Sequence, residues 1–271
     1  MAAKLRANNP RLDGHRILLG CHRGDRKHFP ENTLPAFRAA LDLGLDAIET
    51  DVRMTKDGHL ILIHDREVER TTDGHGLVDE MTLAEIKTLD AGLWKGEEFC
   101  GVQIPTVEEF LELVAPTETV INWELKEYPM DFGRERAFAT IDKLVALLER
   151  YHMEEKSIMN SFSEQNLEYC AEKWPGRFVL HGYLDYIRPK DHAARPQETF
   201  LDCAAIWRKD EEHPAGFAED YAYAAREGIL PCILVPDTEE MYRKALDMGC
   251  RMFTSDDPAA AQRILRALGA I

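Results

Sequence analysis

Residues 46–64 read DAIETDVRMTKDGHLILIH and contain two strand-like segments joined by one turn. Apolar residues are interspersed with polar ones through 46–54, and Leu60 to His64 form a second, mostly apolar run. The connection Lys56-Asp57-Gly58 is far too short for a parallel crossover. The stretch therefore predicts an antiparallel hairpin with Asp-Gly as its two-residue turn.

The turn length fixes which side chains face each other across this hairpin. With Asp-Gly as the two-residue turn, Lys56 faces His59, and counting back along both strands Asp51 faces His64. The hairpin is thereby expected to bring an imidazole beside a carboxylate.

Outside the hairpin, short runs rich in Ile, Val and Leu alternate with amphipathic helical stretches. With 46–54 they predict eight strands, the others lying at about 17–22, 119–126, 156–162, 177–184, 203–208, 230–235 and 250–255. Helix starts are indicated by Thr106 with Glu109, Asp237 with Glu240, and Asp257-Pro258. This alternation is typical of an α/β protein with a parallel sheet, and eight units close a (β/α)8 TIM barrel.

The chain is predicted to be a single domain, residues 1–271. Residues 66–105 carry turns and one short helix capped at Thr82, and we expect them to be a small insertion after the second-strand hairpin. The segment 187–202 is expected to be irregular because it contains two prolines.

Composition limits the kinds of partner. The 271 residues include 49 acidic and 33 basic ones, for a formal net charge of −16. This charge argues against nucleic acid, whose binding needs clustered cations. The N-terminus lacks the apolar run of a signal peptide and no stretch reaches transmembrane length, so no stable membrane insertion is expected. Six scattered cysteines predict reduced, mostly buried thiols and a cytoplasmic setting.

Acidic side chains cluster where catalytic residues of such a barrel lie, at the carboxyl ends of strands. Glu49 and Asp51 are two apart in one strand and therefore share a face, and Glu124 ends a neighbouring strand. Buried carboxylates repel each other unless a cation relieves them, and an all-oxygen set favours Mg²⁺ or Ca²⁺ over zinc. The alternative is that Glu49 and Asp51 form ordinary ion pairs with Arg23 and Lys126.

Two histidines and two basic residues complete the candidate site. His22 ends the first strand and the hairpin register places His64 beside Asp51, so both are candidate proton carriers. Arg23 offers a planar fork of donors and Lys126 a point charge, and both suit a phosphate. No nucleotide-cradling glycine loop and no Gly-x-Ser-x-Gly motif is present in the sequence.

The residues quoted so far belong to a longer pattern. In its order and spacing the chain resembles the glycerophosphodiester phosphodiesterase family, through His22-Arg23-Gly24, Pro30-Glu31-Asn32-Thr33, Glu49-x-Asp51-Val52, Thr55-x-Asp57-Gly58, His64-Asp65, Thr71-Thr72-x-Gly74-x-Gly76, Leu89-Asp90-Ala91-Gly92, Ile104-Pro105-Thr106, Asn122-x-Glu124-x-Lys126, Ser161-Phe162 and Ser255-Asp256-Asp257-Pro258. The likeness covers nearly the whole chain and is most specific in the first half.

The resemblance implies a barrel with a divalent cation, Mg²⁺ or Ca²⁺, on Glu49, Asp51 and Glu124. It implies His22 and His64 as the acid/base pair, and Arg23 and Lys126 as the phosphate ligands. The implied substrate is a small-molecule glycerophosphodiester, hydrolysed to sn-glycerol 3-phosphate and an alcohol. One departure bears on the substrate: the family often has Trp in the strand near 230–235, where this chain has Ile233-Leu234-Val235.

Several readings stay open at this point. The nucleophile is either water or a neighbouring glycerol hydroxyl of the substrate, and either histidine could be the acid. The same residues also fit phospholipase-D-like or lyase action on lysolipid phosphodiesters, although the acidic charge and the missing amphipathic membrane face argue against it. A non-catalytic barrel that binds phosphorylated ligands would be expected to lack a histidine or a carboxylate of the set, and none is lacking.

Overall fold

The computed structural model describes residues 16–184, 191–206 and 209–271. Within them, nine strands form one sheet in the order β1-β9-β8-β7-β6-β5-β4-β2-β3, and pairing of β1 with β2 closes it. All pairings are parallel except that of β3 with β2. The strands are β1 (Leu18–His22), β2 (Ala47–Met54), β3 (Leu60–Leu62), β4 (Val120–Leu125), β5 (Ser157–Asn160), β6 (Val179–Tyr183), β7 (Cys203–Ala205), β8 (Leu230–Leu234) and β9 (Met252–Ser255). The predicted (β/α)8 barrel is confirmed, with β3 as an extra strand on β2.

Helices connect most of the parallel strands and pack on the outside of the barrel, except for the short helix Leu83–Ile86, which lies in the 66–105 segment. In the described residues they are α1 (Leu34–Asp42), α2 (Leu83–Ile86), α3 (Val107–Val114), α4 (Pro129–Arg150), α5 (Glu164–Lys173), α6 (Ala218–Glu227), α7 (Glu239–Asp247) and α8 (Pro258–Ala267). The helix α4 is kinked at Gly133, whose φ is 77°. Buried apolar side chains of strands and helices form the main core between these two layers.

The helix starts agree with the sequence at three of four capping patterns. Thr82 and Thr106 each accept a hydrogen bond from the backbone three residues on and form capping boxes. Asp257 caps α8 by accepting from the backbone N–H of Ala260. The expected start at Asp237 is wrong by one residue, because Thr238 caps α7.

Two predicted strands end two or more residues earlier than expected. The strand predicted at 156–162 spans Ser157–Asn160, and the strand predicted at 203–208 ends at Ala205. Residues 207 and 208 lie outside the described residues, as do 187–190 of the expected irregular segment. Its remainder, 191–202, is irregular apart from one 3₁₀ turn at Gln197–Thr199.

The predicted hairpin is present, but its turn has three residues and not two. The backbone N–H of Thr55 donates to His59 O over 2.9 Å, and that of Gly58 donates to Thr55 O over 3.1 Å. Gly58 has φ 85°, which is the left-handed residue that closes a three-residue loop. Lys56 therefore belongs to the loop and does not face His59.

The longer loop shifts the register of the two strands by one residue. Met54 lies opposite Leu60 and Val52 opposite Leu62. By the same count Asp51 lies opposite Ile63, whose N–H donates to Asp51 O over 3.1 Å. The expectation that Asp51 faces His64 is wrong.

The inside of the barrel changes from apolar to charged along the strands. At the amino ends its filling is a buried cluster that every parallel strand contributes to: Leu18, Ala47, Val120, Ile158, Val179, Cys203, Leu230, Cys232 and Met252. Side chains alternate across a strand, so the inward positions two and four residues further on carry the polar groups. In β2 this rule turns Glu49 and Asp51 inward above Ala47.

Residues 66–105 share a small hydrophobic cluster with the second strand of the hairpin. It consists of Ile61, Ile63, Val68, Val78, Ile86, Ala91 and Ile104, so this segment packs on the hairpin strand β3. Its regular structure is α2 and two 3₁₀ turns at Val78–Glu80 and Glu97–Phe99. The interpretation of 66–105 as an insertion within one domain stays a prediction.

The six cysteines are free, five of them buried and Cys100 exposed, as predicted.

We predict that Gly24→Ala lowers the free energy of unfolding more than Gly44→Ala does. Both glycines have positive φ, 81° and 66°, so each substitution adds roughly 1–2 kcal/mol of backbone strain. At Gly24 an added Cβ would also lie 2.7 Å from Ala36 Cβ, whereas nothing lies within 4 Å at Gly44. This clash should cost about 1–3 kcal/mol more.

Urea unfolding followed by circular dichroism measures both variants. Equal losses of stability at the two positions would contradict the close packing of the β1–α1 connection on α1.

Candidate active site

A cavity of about 450 Å³ opens at the carboxyl ends of the barrel strands. Seven polar or charged residues and several apolar ones share it, and they come from both ends of the chain: His22, Arg23, His64, Glu124, Lys126, Phe162, Tyr183, Lys209, Leu234 and Val235. This is the end of the barrel at which the sequence predicts the active site.

Three carboxylates lie together on β2 and β4. Glu49 and Asp51 share the inward face of β2, and parallel pairing puts Glu124 level with Asp51. One oxygen of each can be chosen so that all three lie within 4.8 Å of one another, and all three residues are buried. We call Glu49, Asp51 and Glu124 the carboxylate trio.

The electrostatics of the trio favour a further positive charge. Burial, with the charges of Asp51 and Glu124, raises the pKa of Glu49 well above its usual value. Glu49 Oε1 is buried and accepts no hydrogen bond from any described residue. A buried carboxylate oxygen without a donor, in an all-oxygen group, fits a hard divalent cation. The trio could therefore hold a metal ion.

The basic residues lie against the trio, so the ion pairs that the sequence left open are also formed. Lys126 Nζ lies 2.5 Å from Glu124 Oε1 and 3.1 Å from Asp51 Oδ1. Arg23 Nε lies 3.2 Å from Asp51 Oδ2. Burial alone would raise the pKa of Asp51, but Lys126 and Arg23 outweigh it and hold that pKa far below its usual value.

His22 is placed by the end of β1 and by a carboxylate from the end of β9. Its Nδ1 lies 2.7 Å from Asp256 Oδ1 and 3.2 Å from Arg26 Nη1. The shorter contact is with an acceptor, so we assign the ring proton to Nδ1. Nε2 then carries the lone pair and lies 3.9 Å from Glu49 Oε2. Burial lowers the pKa of His22 and so favours the neutral ring, while the hydrogen bond with Asp256 acts in the opposite direction.

His64 reaches the same cavity from beyond the end of β3. Its backbone oxygen accepts from Arg53 Nε over 2.9 Å, and its Nδ1 lies 2.6 Å from Asp65 Oδ1. The hydrogen bond from His64 holds the pKa of Asp65 well below its usual value. His64 also acts electrostatically on Asp51, although the two do not face each other in the hairpin.

Sequence reasoning missed a buried network behind Arg23. Glu31 accepts from Arg23 Nη1 over 2.8 Å and from Arg70 Nη2 over 2.7 Å. Burial would raise the pKa of Glu31, but Arg70, Arg23 and Arg26 lower it to about 2. Asn32 Nδ2 donates to Asp51 Oδ2 over 2.7 Å. The signal was the quoted stretch Pro30-Glu31-Asn32-Thr33, whose residues follow the first strand in a loop.

The opposite wall of the cavity is mostly apolar. The rings of Phe162 and Tyr183 stack with centroids 3.5 Å apart and planes at 8°. Leu234 and Val235 continue this wall, while Ile233, at the position singled out for a family Trp, packs in the core outside the barrel. Lys209 is the one cationic side chain described on this wall.

A second group of ligand-type side chains lies lower in the barrel. His181, Cys203 and Cys232 are buried and also lie within 4.8 Å of one another. Burial lowers the pKa of His181 to about 4 and raises that of Cys232 well above its usual value. These shifts favour the neutral forms of His181 and Cys232, so neither side chain adds a charge to the interior of the barrel near neutral pH.

Among the described residues, no helix is both long and apolar enough to cross a bilayer.

The chain is similar in sequence to known proteins. A family model described as the glycerophosphoryl diester phosphodiesterase family matches residues 22–260. The chain is 46% identical over 156 residues to a glycerophosphodiester phosphodiesterase of Caldanaerobacter subterraneus, an alignment that covers 56% of this chain and 60% of that protein. It is 33% identical over 254 residues to the uncharacterized protein YqiK of Bacillus subtilis, covering 90% of this chain and 97% of that one.

Two solved structures share the fold. A phosphodiesterase of Oleispira antarctica, in complex with the product sn-glycerol-3-phosphate, superposes with a TM-score of 0.79 at 27% identity, covering 92% of this chain and 96% of that one. A glycerophosphodiester phosphodiesterase of Agrobacterium tumefaciens gives a TM-score of 0.68 at 27% identity, covering 89% and 97%. The match of the family model over most of the chain, on a barrel of the same architecture, shows that the protein belongs to the glycerophosphoryl diester phosphodiesterase family.

Proposed function

We propose that the protein hydrolyses glycerophosphodiesters to sn-glycerol 3-phosphate and an alcohol. The observation that carries the proposal is the pair of imidazoles, His22 and His64, that line one cavity with Arg23, Lys126 and Glu124. Each imidazole has a carboxylate on its Nδ1, Asp256 or Asp65, which leaves Nε2 for proton transfer. The product bound to the Oleispira antarctica phosphodiesterase supports the same substrate class.

The carboxylate trio would hold the divalent cation, Mg²⁺ or Ca²⁺. When bound, that ion would supply positive charge to a phosphoryl oxygen. Arg23 and Lys126 border the cavity beside the trio and would bind the remaining phosphoryl oxygens. Positive charge from several sides suits the charge that spreads over these oxygens in phosphoryl transfer.

The two histidines would divide the proton transfers. A bond forms from the attacking oxygen to phosphorus, and the proton of that oxygen passes to Nε2 of one imidazole. The bond from phosphorus to the alcohol oxygen breaks, and that oxygen receives a proton from the other ring. The neutral state favoured for His22 suits the base, which leaves His64 as the acid. The attacking oxygen is either water or a glycerol hydroxyl of the substrate.

Phosphorus NMR of the products tests the proposed reaction. Incubation with glycerophosphoethanolamine should convert the diester signal into that of glycerol 3-phosphate. A cyclic phosphate that accumulates from lysolipid, with glycerophosphodiesters left intact, would instead establish the lyase reaction.

We predict opposite effects of Glu49→Gln on stability with and without metal. In EDTA the substitution removes one of three repelling carboxylates, so the free energy of unfolding should stay equal or rise. With millimolar Mg²⁺ the wild type should be stabilised more than the variant, because the affinity for the ion should fall by roughly tenfold or more. Activity of the wild type should be lost in EDTA and return with the ion.

Urea unfolding in both conditions measures this reversal of sign. Glu168→Gln is the matched control, since Glu168 is buried but binds the backbone of Ala194 and Arg195 away from the cavity. If Mg²⁺ raised the free energy of unfolding equally in wild type and Glu49→Gln, Glu49 would not be a ligand of the ion.

We predict that the two histidines respond differently to the leaving group. His22→Ala should lose roughly 10²–10⁴-fold in rate with every substrate, since the base is always needed. His64→Ala should lose as much with an alkyl diester but little with a p-nitrophenyl diester, because p-nitrophenolate leaves without a proton. His59→Ala, which changes a histidine at the hairpin loop, is the control.

The rate–pH profile gives a second measurement of the same roles. A base is active when neutral, so kcat/KM should fall as the pH drops through the pKa of His22, which lies below the usual 6.5. If His22→Ala retained its rate on the p-nitrophenyl diester and His64→Ala lost it, the assignment of acid and base would be reversed.

A further inference from the structure

Lys209 is a cation in the cavity that the proposed chemistry does not use. It lines the cavity together with His22, Lys126 and Tyr183. Its Nζ donates to the backbone oxygen of Leu234 over 3.0 Å. Arg23 and Lys126 are both ion-paired, whereas Lys209 forms no ion pair within residues 16–184, 191–206 and 209–271.

The electrostatic surroundings of Lys209 also favour a negatively charged ligand beside its ammonium group. Burial lowers the pKa of its ammonium group, and Asp237 opposes this from beyond ion-pair distance. A half-buried ammonium group has three donors, and within the described part of the chain one of them is used, on Leu234 O. An anionic group entering the cavity would offset this loss of solvation.

The strand order places Lys209 across the barrel from the carboxylate trio. In the closed ring β1-β9-β8-β7-β6-β5-β4-β2, strand β7 is opposite β2 and β8 is opposite β4. Lys209 follows β7 in the chain and is held on the last residue of β8, Leu234. A phosphodiester bound at the trio and the two histidines would therefore extend one substituent towards Lys209, along the stacked rings of Phe162 and Tyr183.

We propose that Lys209 is a specificity-determining residue that selects glycerophosphodiesters whose alcohol carries an anionic group, a carboxylate or a phosphate. The inference rests on the proposed function of the same cavity. A carboxylate on the head group would form the ion pair that Lys209 lacks among the described residues. A head group with a positive charge alone would be repelled by Lys209, and no described carboxylate pairs with Lys209 to cancel that repulsion.

The test compares two esters that differ by one carboxylate, glycerophosphoserine and glycerophosphoethanolamine. The wild type should prefer the serine ester in kcat/KM. Lys209→Met should lower kcat/KM for the serine ester roughly tenfold to a hundredfold, mainly through KM, and leave the ethanolamine ester unchanged or improved. Lys209→Glu should invert the preference. Lys244→Met, a substitution on the exposed face of α7, is the control.

Turnover of the ethanolamine ester shows in the same samples that the variants are folded. Equal losses with both esters would overturn the proposal, because they would assign Lys209 to the scissile phosphate or to the fold. A wild type without preference for the serine ester would also overturn it.

Calorimetric affinities of the two esters in EDTA separate this proposal from the proposed function. If metal-loaded wild type turned over neither ester, the hydrolytic function would fail, but the affinities would still decide on Lys209. Tighter binding of the serine ester that is lost in Lys209→Met supports the selection, and equal affinities overturn it.

Discussion

Three carboxylates in one buried space are the constraint on which the rest of the site depends. Two like charges 4.8 Å apart repel by on the order of 3 kcal/mol at the effective dielectric constant of about 20 that describes protein sites. Among the described residues, Lys126 and Arg23 are the cations in ion-pair contact with Asp51 of the trio. Two positive charges against three negative ones leave an excess of one, and burial together with this excess raises the pKa of Glu49. The fold keeps a group of side chains together whose mutual repulsion a divalent cation would relieve.

The residues around the trio hold it in place and keep its partners charged. Asn32 donates to Asp51, and Thr50 Oγ1 donates in turn to Asn32 Oδ1 over 2.9 Å. Glu31 fixes Arg23 from the side away from the trio and is itself held by Arg70. Both Arg23 and Asn32 have positive φ, 61° and 55°, which is uncommon for residues with a side chain. The loop after β1 thus adopts an unfavourable backbone conformation where it brings these two side chains to Asp51.

The sequence predicted the barrel because periodicity and length are local properties. Strand–helix alternation needs no knowledge of distant contacts, and the charged residues at strand ends follow from the direction of the strands. The hairpin register could not be predicted in the same way, since an Asp-Gly pair fits both a two-residue turn and a three-residue loop closed by a left-handed Gly58. His64 nonetheless lines the cavity, because it lies beyond the last paired residue of β3 and its position depends on Arg53 and Asp65. Asp256 as the partner of His22 is 234 positions away, and only the closed barrel brings the two together.

The cavity has two unlike halves, and the barrel explains why. The ends of β1, β2 and β4 carry the charged residues, whereas those of β6 and β8 carry Tyr183 and Leu234. The charged half is tightly paired and leaves little freedom to change without loss of the trio. Substitutions on the apolar half would alter the shape and charge offered to a head group without removing a carboxylate of the trio or one of the two histidines. Lys209 lies on this half beside Leu234 and Val235, and it is the one cationic side chain described there. On the proposed function, selection of the alcohol would lie in a different part of the barrel from cleavage of the phosphodiester bond.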